Sequence, residues 1–285
     1  MSAQPLNRPI QRTAHWLILL AMVLVAVGPF AWLLSTALKS SDENIFAYPP
    51  QWLPAQATLE NFVTVWQKLP MLQYFINSMV VALLTVVLTV GFSVLAAYPL
   101  ARMSFKGRQG IFMLILATMM IPFQVIMVPL YLIVLKLHLT DASGLVNGWL
   151  GLVLPFAISG FGIFFVRQAL IALPRDLEES AWLDGCNSVQ VLTRVMVPLI
   201  KPTLATLAVL TFIGCWGELL WSSIVLSQPD HFTLPVGLIQ LQGVFSANWR
   251  LIAAGTVLSM VPVLIFFVLL QRYFVSGTLS GSLKG

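Results

Sequence analysis

Ten acidic residues occur in the 285-residue chain, and four of them, Asp176, Glu178, Glu179 and Asp184, fall within the 29 residues from Pro174 to Pro202. Arg175, Arg194 and Lys201 share that stretch, while strongly apolar segments flank it on both sides. A polar island of this kind must touch something outside the bilayer. A further acid, Glu218, stands alone in an apolar run between Trp216 and Trp221. A carboxylate can accept sugar hydroxyls while an indole face packs against C–H groups, so this trio could grip a polyol. Equally, a neutral or paired glutamate can hold helices together. Asn77, Gln124, Ser222 and Ser223 are the other polar groups in or near apolar runs, where such residues are frequent interhelical glue. The histidines His15, His138 and His231 are scattered, and Cys186 and Cys215 form no cluster with them. Neither a metal site nor a disulfide framework is indicated.

The elements that position these residues are set by composition. Hydrophobic residues make up 59% of the chain and charged residues 9%, against roughly 45–50% and about 25% in soluble domains. Lipid must therefore be part of its solvent. Charge-free runs cover residues 13–38, 69–101, 109–135, 142–166 and 251–271, and only Glu218 interrupts the stretch between Lys201 and Asp230. Each run reaches the ~20 residues that a helix needs to cross about 30 Å of hydrocarbon. In lipid the backbone must bond within its own segment, so six helical spans follow: 14–37, 73–98, 109–135, 144–170, 202–226 and 250–275. The first run is too long for a signal peptide and reads as an uncleaved span. Pro122, Pro129, Pro155 and Pro262 each remove a backbone bond and bend their spans. Leu59, Phe62, Val63 and Trp66 recur at helical spacing, which predicts a short surface helix in the first outside loop.

With the N-terminus inside, eleven Lys and Arg residues fall on the cytoplasmic side and Lys39, Lys68, Lys136 and Arg250 on the other. That asymmetry places both termini and the polar island in the cytoplasm. A basic excess distributed in this way reports topology, not nucleic-acid binding.

Within the island, Pro174 suits a first helical turn, and Asp176, Glu178 and Glu179 favour its positive end. Gly185 can adopt positive φ and stop that helix after Asp184. Asn187 with Gln190 makes a capping box that opens a second helix, which Pro198 should end. The loop thus reads as helix, sharp turn, helix, with the small residues Ala181, Gly185 and Cys186 exposed near the turn. Spacing alone leaves a docking device and a solvated hairpin both open.

The run Glu179-Ser180-Ala181, then Asp184-Gly185-Cys186, then Pro198 and Pro202, resembles the EAA loop of ABC-importer membrane subunits, with the proline thirteen residues after the glycine. Ser180 and Cys186 stand where the family has alanines. Phe75-Ile76-Asn77-Ser78, Leu137-His138-Leu139-Thr140-Asp141, the segment from Phe232 to Leu238 and the tail from Gly277 to Gly285 resemble the carbohydrate-uptake, MalG-like branch. The resemblance implies an all-α integral membrane permease with six transmembrane helices and a cytoplasmic helix-turn-helix coupling loop. Residues 1–13 would form a cytoplasmic N-terminus and 14–276 the permease domain, including the EAA loop at 171–202. Residues 277–285 would be a cytoplasmic tail reaching the ATPase interface. It implies that Glu178, Glu179, Ser180, Ala181, Asp184, Gly185, Cys186 and Pro198 couple to a cytoplasmic ATPase. The implied partners are a second homologous permease, two ATPase subunits and an extracytoplasmic solute-binding protein.

The chain's own chemistry agrees with an external energy source. It has no G-x-x-x-x-G-K-[ST] loop, and no lysine follows a glycine, so ATP would be bound by the partner and the chain needs no cofactor of its own. The expected function is uptake of a sugar, oligosaccharide or polyol, with Glu218, Trp216, Trp221, Asn77 and Gln124 as candidate path residues. The family often has Asn where Gly217 stands, which separates this chain from any particular substrate assignment. Glycerol 3-phosphate is the alternative solute, but a phosphate wants fixed cations, and no Lys or Arg lies deep in a span. A membrane-embedded enzyme would need clustered His, Asp or Glu at one depth. An ion-coupled carrier would need several intramembrane ionisable groups.

Overall fold

The computed structural model describes residues 8–143, 146–242 and 248–279; residues 280–285 of the tail expected at 277–285, and residues 1–7, lie outside the described residues, while 277–279 continue the last helix. Every regular element among the described residues is helical: α1 (Arg8–Leu38), α2 (Glu60–Lys68), α3 (Met71–Arg102), α4 (Arg108–Thr118), α5 (Phe123–Lys136), α6 (Trp149–Ala157), α7 (Gly160–Ala172), α8 (Asp176–Leu183), α9 (Ser188–Gln190), α10 (Val197–Leu199), α11 (Lys201–Trp216), α12 (Leu220–Val225), α13 (Leu234–Ile239) and α14 (Trp249–Leu279). Three helices, α1, α3 and α14, are long and apolar enough to cross a membrane unbroken. At ~1.5 Å per residue each exceeds the ~30 Å hydrocarbon thickness.

The remaining spans are not the continuous helices expected from their charge-free runs. The 109–135 run breaks between α4 and α5 with a bend of 97°, and the 144–170 run breaks between α6 and α7 with a bend of 43°. Pro122 explains the first break: it caps α5 at φ −59°, and its ring cannot continue the preceding turn. Ser159 opens α7, its hydroxyl accepting the Gly162 amide at 3.1 Å. The 202–226 run ends its main helix at Trp216, leaving Gly217–Leu219 irregular before the short α12.

Two compact units make up the chain. In the first, Met1–Leu69 with Leu238–Met260, the loop after α1 is held by buried polar groups. Lys39 is 1% exposed, donates to the Gln51 carbonyl at 2.6 Å and lies 4.6 Å from the Trp32 ring. Asn61 donates to the Ala37 and Lys39 carbonyls, and the Arg250 guanidinium donates to the Glu43 carbonyl. The Glu43 carboxylate accepts the amides of Ala55, Gln56 and Ser40, which hold it below the ordinary glutamate range. The short surface helix expected here is α2, which buries Val65 and turns Leu59, Val63 and Trp66 outward.

In the second unit, Pro70–Gly237 with Val261–Gly285, α3 is central and packs against α6, α7 and α11. The α3–α7 crossing is close: a Cβ on Gly162 would lie 2.3 Å from the Ser93 hydroxyl. Small residues permit such approaches in membranes, where dispersion rather than hydrophobic driving force joins helices. Two polar ties close the opposite end. Asn77 donates to the Asp230 and Phe232 carbonyls at 3.0 Å each. Asp141, with no exposed surface, accepts the Ser227 amide (2.7 Å), the Ser227 hydroxyl (2.8 Å) and the Gln228 amide (2.7 Å), with His231 Nδ1 at 3.8 Å.

The Asp141 cradle gives a direct expectation. Asp141→Ala removes a buried charged acceptor from three donors on the exposed residues Ser227 and Gln228, which water can partly satisfy, so the loss should be about 1.5–3 kcal/mol, the worth of one bond to a charged group. Thermal unfolding of the detergent-purified chain should show a clear fall in midpoint; an unchanged midpoint would remove the cradle from the account of stability.

Candidate coupling loop and transmembrane cavity

The polar island folds as helix, turn, helix. Three acids occupy the first turn of α8, where the helix dipole favours them. Gly185 follows at φ +82°, a conformation that costs glycine no Cβ clash. The Asn187 side chain accepts the Gln190 amide at 2.9 Å while the Gln190 side chain accepts the Asn187 amide at 2.8 Å, completing the expected capping box.

Two expectations need correction. Pro198 does not end the second helix. Residues Val191–Met196 form a π-turn, α10 runs through Pro198 to Leu199, and a 77° bend then leads into α11. The wider turn routes the Val197 amide to the Leu192 carbonyl, so the ladder is already displaced where proline lacks a donor. Nor are the small residues all exposed. Ala181 is 7% exposed and belongs to the apolar cluster formed by the ends of α3 and α7 with Val191, Leu192 and Met196, and Cys186 packs on the edge of that cluster. Position explains this: Glu178 and Ala181 stand three apart and share the inward face of α8. Glu179, Ser180, Asp184 and Gly185 remain exposed.

Glu178 is 4% exposed and faces Arg102 at the end of α3, with Nε 3.7 Å from its carboxylate. Burial pushes its carboxyl above the ordinary glutamate range, with Arg102 and Arg175 pulling it back. Sequence reading placed Glu178 in the coupling set but missed Arg102. An arginine closing a long apolar helix was the available signal.

Glu218 lies in the break between α11 and α12. Its carboxylate accepts the Trp221 amide (2.8 Å), the Ser222 amide (2.8 Å) and the Ser222 hydroxyl (2.9 Å), so it caps α12. It also lines a cavity of about 370 Å³ with Thr89, Phe156, Ser159, Thr211 and Cys215. The two tryptophans are committed elsewhere. Trp216 is buried, stacked on Phe212 and edge-on to Phe75. Trp221 is fully buried and donates its indole N–H to the Gly151 carbonyl at 3.0 Å, facing only a void of about 10 Å³ beside Glu218. Asn77 serves the tie described above, and Gln124 is exposed on α5. The structure therefore brings none of the other four candidates to the cavity that Glu218 lines.

This capping geometry separates two glutamate substitutions. Glu218→Leu strands the Trp221 and Ser222 amides, a penalty of about 1–3 kcal/mol per unsatisfied group, whereas Glu218→Gln keeps one acceptor oxygen. The leucine variant should lose more thermal stability than the glutamine variant in detergent. Equal midpoints for leucine and parent would show that the cap is dispensable.

Comparison with known proteins supplies the family. Residues 89–279 match the family described as binding-protein-dependent transport system inner membrane component. Over 278 residues the chain is 36% identical to the arabinooligosaccharides transport system permease protein AraQ of Bacillus subtilis (strain 168), covering 97% of each chain. It is 37% identical over 269 residues to the sulfoquinovosyl glycerol transport system permease protein SmoH of Agrobacterium fabrum, covering 93% of this chain and 92% of that one. A crystal structure of a bacterial ABC transporter involved in import of the acidic polysaccharide alginate shares the fold, with a TM-score of 0.79 and 24% identity over 96% of this chain and 99% of that chain. The chain thus belongs to the inner-membrane components of binding-protein-dependent transport systems, as a multi-pass permease subunit of an ABC importer.

Proposed function

We propose that this chain forms half of the translocation pathway of an ATP-driven importer for a sugar, oligosaccharide or polyol. A second homologous permease supplies the other half, two cytoplasmic ATPase subunits bind the nucleotide, and an extracytoplasmic binding protein delivers the solute. Both termini and the coupling loop face the cytoplasm, in keeping with the one-sided Lys and Arg distribution. The observation that carries this reading is the exposed helix–glycine–helix loop, whose outward residues Glu179, Ser180, Asp184 and Gly185 offer a narrow, small-residue edge to a partner cleft. The solute class is supported by relatives named for arabinooligosaccharide and diacetylchitobiose uptake. The cavity beside Glu218 has no Lys or Arg among its lining residues, which disfavours a phosphorylated solute such as glycerol 3-phosphate.

Membrane vesicles carrying the complete importer test the loop. Gly185→Val forces a β-branched residue to φ +82°, at a cost of about 1–3 kcal/mol, with no neighbouring atom in its way. Glu179→Lys reverses an exposed charge. Both variants should insert normally yet abolish ATP-dependent uptake of oligosaccharide. Parental uptake by both would reduce the loop to a surface hairpin.

A further inference from the structure

The inward face of α8 carries only two buried side chains, Glu178 and Ala181. A single alanine covers little apolar surface, so it cannot fix the helix by burial alone. By contrast, the segment after the turn contributes Val191, Leu192 and Met196 to the core cluster, and Ile200 follows at the bend. The first coupling helix therefore depends on a polar contact where the second depends on apolar packing.

That contact is built from three elements. Arg102 closes α3, and its Nη2 donates to the Leu170 carbonyl at 2.5 Å and the Leu173 carbonyl at 2.8 Å, at the end of α7. Those carbonyls close the C-terminal end of α7, where a cation is favoured; the Leu170 oxygen also accepts the Leu173 amide at 3.2 Å. The remaining side of the guanidinium faces Glu178 of α8 across 3.7 Å, with both side chains 5% exposed. Arg102 Nε and Glu178 Oε1 have no other protein partner. A buried pair at this distance is costly to break, because removing one member leaves the other charged and unpaired.

We propose that Arg102 and Glu178 are positioning residues for energy coupling: the pair fixes α8 to α3 and α7, so that displacement of the loop is passed to those helices. This rests on the proposed coupling role of the loop. Through α3 and α7 the path leads to Thr89, Ser159 and Phe161, which line the cavity beside Glu218. The loop thus has two mechanical routes into the membrane, a polar one through α8 and a continuous-chain one through the bend at Ile200 into α11.

The test uses the importer captured from its own membrane through a tag on this chain, in parent, Glu178→Leu and Arg102→Gln forms. Backbone hydrogen exchange is followed with and without ATP and vanadate, alongside ATP hydrolysis per captured complex. In both variants residues 176–183 should exchange about tenfold faster, the loss of a buried pair sufficing for this. Hydrolysis should continue, while the ATP-dependent change in exchange at residues 159–166 and 207–218 disappears. A merely structural role would lower the amount of captured complex but leave that response intact in what remains. Parental exchange in 176–183, or a parental ATP response in both variants, overturns the proposal, as does a parent with no such response. A parent that captures no ATP-hydrolysing subunit overturns the importer reading itself, and so fails in a distinguishable way.

Discussion

Hydrocarbon offers the backbone no hydrogen bonds, so wherever a helix stops within the membrane the freed groups must find partners inside the protein. This constraint organises the second unit. Ser159 satisfies the start of α7, Glu218 satisfies the start of α12, and Arg102 satisfies carbonyls at the end of α7. Asn77 and Asp141 do the same for the irregular segment between α12 and α13. These polar residues in apolar surroundings are thus committed to chain breaks, whereas Thr85, Thr206 and Thr256 bond back to carbonyls of their own helices. The breaks at Ile158–Ser159 and Gly217–Leu219 flank the cavity, so backbone irregularity occurs where a space must be walled.

Glu218 shows how one residue can answer to both needs. A carboxylate has about four lone-pair sites, and three contacts are made to Trp221 and Ser222. What it presents to the cavity is the remainder of an acid whose orientation is fixed by backbone amides.

Much of this was legible in the sequence. The charge-free runs located the three unbroken apolar helices and the α4–α5 and α6–α7 pairs, and the Gly185, Asn187 and Gln190 signals placed the turn between the loop's two helices, because caps and turns are decided by neighbouring residues; Pro174, expected in the first turn, lies just before the α8 cap. The continuity of spans was less legible. Pro122 signalled a bend but not one of 97°, since the angle depends on what α4 and α5 pack against. The fate of Pro198 depended on a π-turn upstream, which has no composition of its own. Trp216 and Trp221 looked like cavity walls from spacing alone; the Phe75 ring and the Gly151 carbonyl, distant in sequence, claim them instead. Arg102 and Glu178 are 76 positions apart, and only tertiary structure reveals their pairing.

The π-turn at Val191–Met196 has a consequence for chain length. One residue more than an α-turn requires is stored there, so the helix lags in phase by about 100° across it. Val191, Leu192, Met196 and Ile200 nevertheless share the buried side, because a four-residue repeat suits the wider winding better than 3.6 does. Deleting one residue from this segment would restore regular winding and rotate the Asn187 turn by that angle about the axis. Loss of ATPase capture by such a shortened chain would show that the azimuth of the turn, and not only its composition, is encoded by the length of this segment.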